Sequence, residues 1–188
     1  MAHLILASSS PRRQELLQQI GLDFTVYSPD IDETVRPDET VQAYVERLAQ
    51  AKAQAVLAQF PDAVVIAADT SLSVDGQIIG KPESKQHAFA IWSQLSGRQH
   101  DVLSGVCVAT SQQISSIVVT THVEFQSLSP DDMENYWATG EPLGKAGAYA
   151  IQGIAAQYIP RIEGSYTNVV GLPLYETLQL LKAVKALN

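Results

Sequence analysis

The sequence predicts an α/β protein with a mixed β-sheet flanked by helices, and three observations predict it. Short apolar runs at residues 4–6 and 63–68 alternate with helical periodicity, the order of parallel strands joined by crossover helices. Two long strand-like stretches in the middle, 102–109 and 114–125, are joined by only Ser111-Gln112-Gln113, which demands an antiparallel pair. Apolar residues make up 46% and charged ones 17% of the 188 residues, with 11 Gly and 9 Pro, which excludes collagen-like, coiled-coil and disordered chains and leaves enough apolar surface for a core.

In chain order, Leu4-Ile5-Leu6 predicts a short buried strand. Ser8-Ser9-Ser10-Pro11 then opens a helix with apolar Leu16, Leu17 and Ile20 that stops at Gly21. A second strand is expected at 24–27, a long helix at 38–60, and a fully apolar strand at 63–68. A hairpin follows at Asp75-Gly76, then a helix at 84–95 and the antiparallel pair. Ser129-Pro130 opens another helix, the Gly-rich stretch 140–153 reads as loop, and a last helix is expected at 172–186. No linker or repeat divides the chain, so residues 1–188 are expected to form one domain.

Twelve Lys+Arg against twenty Asp+Glu leave a net charge of −8, so there is no basic sheath to displace counterions from a nucleic acid, and none is expected as partner. The lone Cys107 excludes an internal disulfide, and the four histidines show no zinc-ligand spacing. The N-terminus lacks the features of a signal peptide, and no apolar run approaches membrane-spanning length. The expected setting is a soluble protein of the cytoplasm.

Four places break the rule that their context sets. Arg12 and Arg13 stand in the first turn of a helix, where the dipole favours acidic side chains by roughly 0.3–1 kcal/mol each; an anion would offset them, and otherwise they are a solvated pair. Lys52 lies on the apolar stripe of Val41, Val45, Leu48 and Val56, so its ammonium either snorkels to water or points into a cleft. Asp69-Thr70 follows directly on the apolar strand, where α/β sheets place ligands beyond strand ends, although an Asx turn or a helix cap would use the same residues. Asp30, Asp32 and Glu33 crowd one loop. Gly140-Glu141-Pro142-Leu143-Gly144-Lys145-Ala146 resembles a Walker A loop but is one residue short between its glycines, with Ala where Ser or Thr must hold magnesium, and is therefore not a P-loop.

Seven segments nevertheless fall into a known order: 7–13 (ASSSPRR), Asp32-Glu33, Ala51-Lys52-Ala53, Ala68-Asp69-Thr70, Lys81-Pro82, 145–153 (KAGAYAIQG) and 164–173 (GSYTNVVGLP). Together they resemble the Maf family of nucleoside triphosphate pyrophosphatases, also called septum-formation inhibitors. The resemblance implies an elongated α/β fold, similar to that of inosine triphosphatases, with a cleft between two lobes. It implies cleavage of a nucleoside triphosphate between the α- and β-phosphates with a divalent cation, Mg²⁺ or Mn²⁺, by a homodimer. By position, Asp69 matches the proton acceptor, and Ser8, Arg13, Glu33, Lys52 and Lys81 match the phosphate and metal side; Ser10, at the helix start, is a further candidate for substrate binding, and Glu33 and Asp69, acids that would repel phosphate, are the candidate metal ligands. Lys81 and Arg13 would stabilise the developing charge. Arg12, Thr70 and Gln152 match positions that separate the dTTP/UTP subfamily from the one acting on 7-methyl-GTP. Ser104 and Gly144 stand where Thr and Asp are usual. The rival expectation is a nucleotide-binding regulator of cell division with little catalysis, which needs affinity but has no use for a base.

Overall fold

The computed structural model describes residues 3–186, so Met1 and Ala2 of the expected leaderless N-terminus, and Leu187 and Asn188 at the end of the expected domain, lie outside it. The strands are β1 (Leu4–Leu6), β2 (Thr25–Val26), β3 (Val64–Val74), β4 (Gln77–Ile79), β5 (Gln99–Ala109), β6 (Ile114–Glu124) and β7 (Arg161–Glu163). The α-helices are α1 (Pro11–Gln19), α2 (Val41–Gln59), α3 (Lys85–Leu95), α4 (Pro130–Ala138), α5 (Tyr166–Val170) and α6 (Leu174–Ala183). One mixed sheet runs β2-β1-β3-β5-β6-β7, with β4 also on β3. β1 is parallel to both β2 and β3, and every other pairing is antiparallel.

Strand β3 is the spine. Alternation along it sends Val65 and Ala67 to the face covered by α2, where Ala49, Ala53 and Val56 form a small-residue core with them. Val64, Ile66 and Ala68 face the other side, packing with Leu16 and Leu17 of α1 and Leu181 of α6. A third cluster around Trp92, Phe125 and Tyr136 fills the far end, under α3 and α4. Helix α2 lies almost on the backbone of β5, because a Cβ at Gly105 would sit 2.3 Å from the Val45 carbonyl oxygen.

The expected α/β class and mixed sheet are those observed, with differences at the element ends. β3 does not stop at residue 68 but continues to Val74, because β5 pairs with it without interruption from Val65–Ala109 to Ser73–Asp101. Asp69 and Thr70 are therefore mid-strand residues, and neither the Asx turn nor the helix cap is made. The strand expected at 24–27 shrinks to Thr25–Val26, both exposed at the sheet edge. Strand β7 and helix α5 were not expected. Each is short, and neither carries a hydrophobic period long enough to read.

Candidate active site

The site begins with a gap in the sheet. On one edge of β3, β1 pairs only with residues 64–66 and β4 only with residues 72–74. Between them the β3 backbone at Asp69, Thr70 and Ser71 has no strand beside it, and a cleft of about 920 Å³ opens there. The ligand position expected beyond a strand end is thus beyond the end of β1, while β3 carries the residues through.

Alternation on β3 then sorts its two polar residues. Asp69 points to the α2 face, in register with Gly105, the glycine that lets α2 come close. Lys52, about two turns beyond Val45, reaches Asp69 Oδ1 at 2.7 Å and Glu33 Oε1 at 2.8 Å. Its side chain is only 12% exposed and that of Asp69 13%, so the lysine on the apolar stripe serves the cleft and does not snorkel to water. The hydrogen bond and charge of Lys52 hold the Glu33 carboxyl below the usual range, against the smaller opposing effect of burial. The loop bearing Glu33 is strapped to α2: Tyr44 donates its hydroxyl to the Glu33 carbonyl at 2.9 Å, and Arg47 donates to the Thr34 carbonyl at 3.0 Å while pairing with Glu39 through two nitrogens.

Thr70 points to the α1 face and meets Arg13. The guanidinium donates through Nε to the Gly171 carbonyl (2.8 Å), through Nη1 to Ser8 Oγ (3.1 Å) and through Nη2 to Thr70 Oγ1 (3.2 Å). All three acceptors are neutral. Burial pushes the Arg13 pKa down, opposed by Asp69 and assisted by Arg12, as expected of a cation sunk into protein without a carboxylate against it. Thr70 Oγ1 also shares a 2.7 Å hydrogen bond with Ser104, whose hydroxyl reaches the Asn168 carbonyl at 3.1 Å. Asn168 in turn donates to the Val102 carbonyl and to Thr121, anchoring α5, at whose end Gly171 offers its carbonyl to Arg13.

Every expected site residue therefore lines this cleft: Ser8, Ser10, Arg12, Arg13, Glu33, Lys52, Asp69, Thr70, Lys81 and Gln152. Ser10 is the N-cap of α1 but bonds no backbone N–H with its side chain, leaving that helix end open to a ligand. Among the described residues, Arg12, Arg13 and Lys81 make no ion pair, whereas Lys52 is shared by two acids. Lys145 also lines the cleft without an ion pair among the described residues and adds a cation that the motif reading left without a role. Tyr44 and the Ser104–Asn168 relay were missed as well. Ser104 was visible only as a departure from the usual Thr, and nothing in the sequence ties it to Thr70.

The chain is similar to known proteins over nearly its whole length. A family model described as Maf-like protein matches residues 3–184. A dTTP/UTP pyrophosphatase of Acinetobacter baylyi is 75% identical over 183 residues, covering 97% of this chain and 100% of that protein. One from Vibrio parahaemolyticus is 49% identical over 180 residues, covering 95% of each. Among solved structures, the Staphylococcus aureus Ham1 protein aligns with a TM-score of 0.49 at 17% identity, over 65% of this chain and 71% of that one.

Proposed function

The chain belongs to the Maf family, and from that membership and the cleft we propose that it is a dTTP/UTP pyrophosphatase, a hydrolase that converts a nucleoside triphosphate to its monophosphate and pyrophosphate. The single observation that carries this reading is the pairing of opposite needs in one cleft. Arg13 is a sunken cation with only neutral acceptors, suited to phosphate, and Asp69 is a carboxylate that phosphate would repel unless it had other work.

Asp69 is the general base. Lys52 engages one of its oxygens and orients the carboxylate, and the other takes no hydrogen bond among the described residues, leaving it to accept a proton from the attacking water. Arg12, Arg13 and Lys81 bind the triphosphate, with Ser8 holding Arg13 in place and the open end of α1 at Ser10 adding backbone N–H groups. As the α–β anhydride breaks, Arg13 and Lys81 offset the charge gathering on the departing pyrophosphate.

The donor set fits a divalent cation. Glu33 and Asp69 meet on one ammonium, each with an oxygen free of hydrogen bonds among the described residues, and Mg²⁺ or Mn²⁺ takes one or two carboxylates together with substrate phosphates. Among the described residues no three His, Cys, Asp or Glu side chains converge as a cage, which matches that mode. When bound, such an ion lowers the pKa of a coordinated water and neutralises phosphate charge.

Gln152, exposed at the cleft, reads the base. A primary amide can donate to O4 of uracil or thymine while accepting from N3–H, whereas a carboxylate can only accept. The 188 residues act as one domain, paired as a homodimer in the cytoplasm and without a nucleic-acid partner. The family resemblance supports the pairing, the net charge of −8 opposes nucleic acid, and no helix among the described residues is long and apolar enough to cross a membrane. Pyrophosphate release measured across common and modified nucleoside triphosphates, with and without Mg²⁺, tests the activity; nucleotide binding with no release would leave only a regulator. Light scattering tests the dimer, which a concentration-independent monomer mass would remove.

A further inference from the structure

Glu141 lies in the segment that resembles a P-loop without being one, and the proposed chemistry gives it no task. It is nonetheless the most connected side chain near Gln152. Its Oε1 accepts from the Tyr136 hydroxyl at 2.6 Å and the Ala155 N–H at 3.2 Å, and its Oε2 accepts from the Ile154 N–H at 2.8 Å. Its backbone carbonyl accepts from Lys145 Nζ at 2.5 Å. One residue thus ties α4 to the cation that precedes Gln152 and to the turn that follows it.

Gly153 makes this possible. A Cβ there would fall 2.0 Å from Glu141 Oε2, so the carboxylate occupies the space that any other residue would fill with its side chain. Burial raises the Glu141 pKa, but the hydrogen bonds from Tyr136, Ile154 and Ala155 outweigh it and leave the group below the ordinary range. Among the described residues Gln152 makes no protein hydrogen bond of its own, so its presentation depends on the backbone beside it, and that backbone is held at Gly153, Ile154 and Ala155.

We propose that Glu141 is the positioning residue for base selectivity: its carboxylate, seated in the space over Gly153, fixes the turn that presents Gln152 to the nucleobase. This rests on Gln152 reading the base. Glu141 is not among the residues that line the cleft, and a purely structural role would lower stability without altering which base is preferred.

A double-mutant cycle on the ratio of kcat/KM for UTP over 7-methyl-GTP separates these. Glu141→Gln should lower the ratio about 10-fold, chiefly through KM for UTP with kcat within about threefold of wild type. Combined with Gln152→Ala it should lower the ratio no further than Gln152→Ala alone, because both act through one side chain. A wild-type ratio in Glu141→Gln beside a reduced one in Gln152→Ala overturns the proposal and leaves Gln152 as reader. A reduced ratio in Glu141→Gln beside a wild-type one in Gln152→Ala removes Gln152 as reader and overturns the proposal together with the reading on which it rests. If Glu141→Gln does not fold, Gly153→Ala drives a methyl group into the same contact from the other side and is judged by the same outcomes.

Discussion

The two sides of the cleft are built differently. On the phosphate side, Arg13, Lys52 and Asp69 stand on α1, α2 and β3, each with at least one side-chain partner at 3.2 Å or less. On the base side, Lys145 and Gln152 stand on a stretch whose only regular structure is a 3₁₀ turn, Ala146–Ala148, with Gly147 inside it at positive φ. In the proposed reading the chemistry rests on regular elements that pack from both faces, and selectivity rests on a loop held at a few points. That reading predicts that the first side is costly to alter without loss of turnover, whereas the second can change its preference while the first stays intact.

The largest expected effects test the phosphate side. Chelating divalent ions should abolish hydrolysis and adding Mg²⁺ or Mn²⁺ should restore it; full turnover in excess EDTA would break the reading of Glu33 and Asp69 as metal ligands. Asp69→Asn keeps the shape of the side chain and removes the proton acceptor, so turnover should fall about 10²-fold or more with an unchanged preference among bases, measured as kcat on UTP and dTTP. Near-normal turnover would dismiss Asp69 as the base.

The base side is tested by Gln152→Glu. An acceptor then faces the O4 lone pairs, which should cost about 1–3 kcal/mol and lower kcat/KM for UTP and dTTP roughly 10- to 100-fold, with guanine nucleotides spared. An unchanged ratio of UTP over 7-methyl-GTP would mean that the amide does not read the base.

Between the two sides lies the packing that allows α2 to reach β3. Gly105→Ala places a methyl group against the Val45 carbonyl, and overpacking of this kind costs about 1–3 kcal/mol. Thermal melting should show the loss, and kcat should drop with it as Lys52 is lifted from Asp69. A destabilised variant with wild-type kcat would show that the approach of α2 matters to the fold alone.

The smallest expected effect is one of pH and comes from behind the base side, where His100 Nε2 and the Tyr149 hydroxyl share a 2.8 Å hydrogen bond. Buried His100, stacked edge-on with Phe125 and Tyr149, has its pKa pushed down to about 3 from 6.5 by burial. Above pH 6.5 the folded and unfolded states are both neutral there. Below it only the unfolded state takes up a proton until pH nears 3, so stability falls across that window, by about 2 kcal/mol at pH 5. Denaturant melts of wild type and His100→Asn at pH 7 and 5 should show a shallower loss in the variant. Equal losses would assign the acid sensitivity to other groups.

What a single stretch of sequence determines about this protein is what depends on neighbours along the chain. The period of Leu16, Leu17 and Ile20, the Ser129-Pro130 cap and the apolar run at 63–68 each specify a local element, because the groups that satisfy them are a few residues away. The seven motifs likewise contain the ten expected site residues, all of which line the cleft. The tertiary structure decided the rest. Whether Lys52 turns to water or to Asp69, whether β3 ends at 68 or runs to 74, and whether Thr70 joins Ser8 on the Arg13 guanidinium depend on partners distant in sequence, 17 positions away for Lys52 and 57 for Arg13. Glu141 and Gly153 show the same limit most sharply: a carboxylate in a failed P-loop match and a glycine in a turn carry no joint signal until the chain folds one into the space left by the other. Such contacts are set by close packing between distant segments, and a sequence records the side chains that fill a space without recording where that space is.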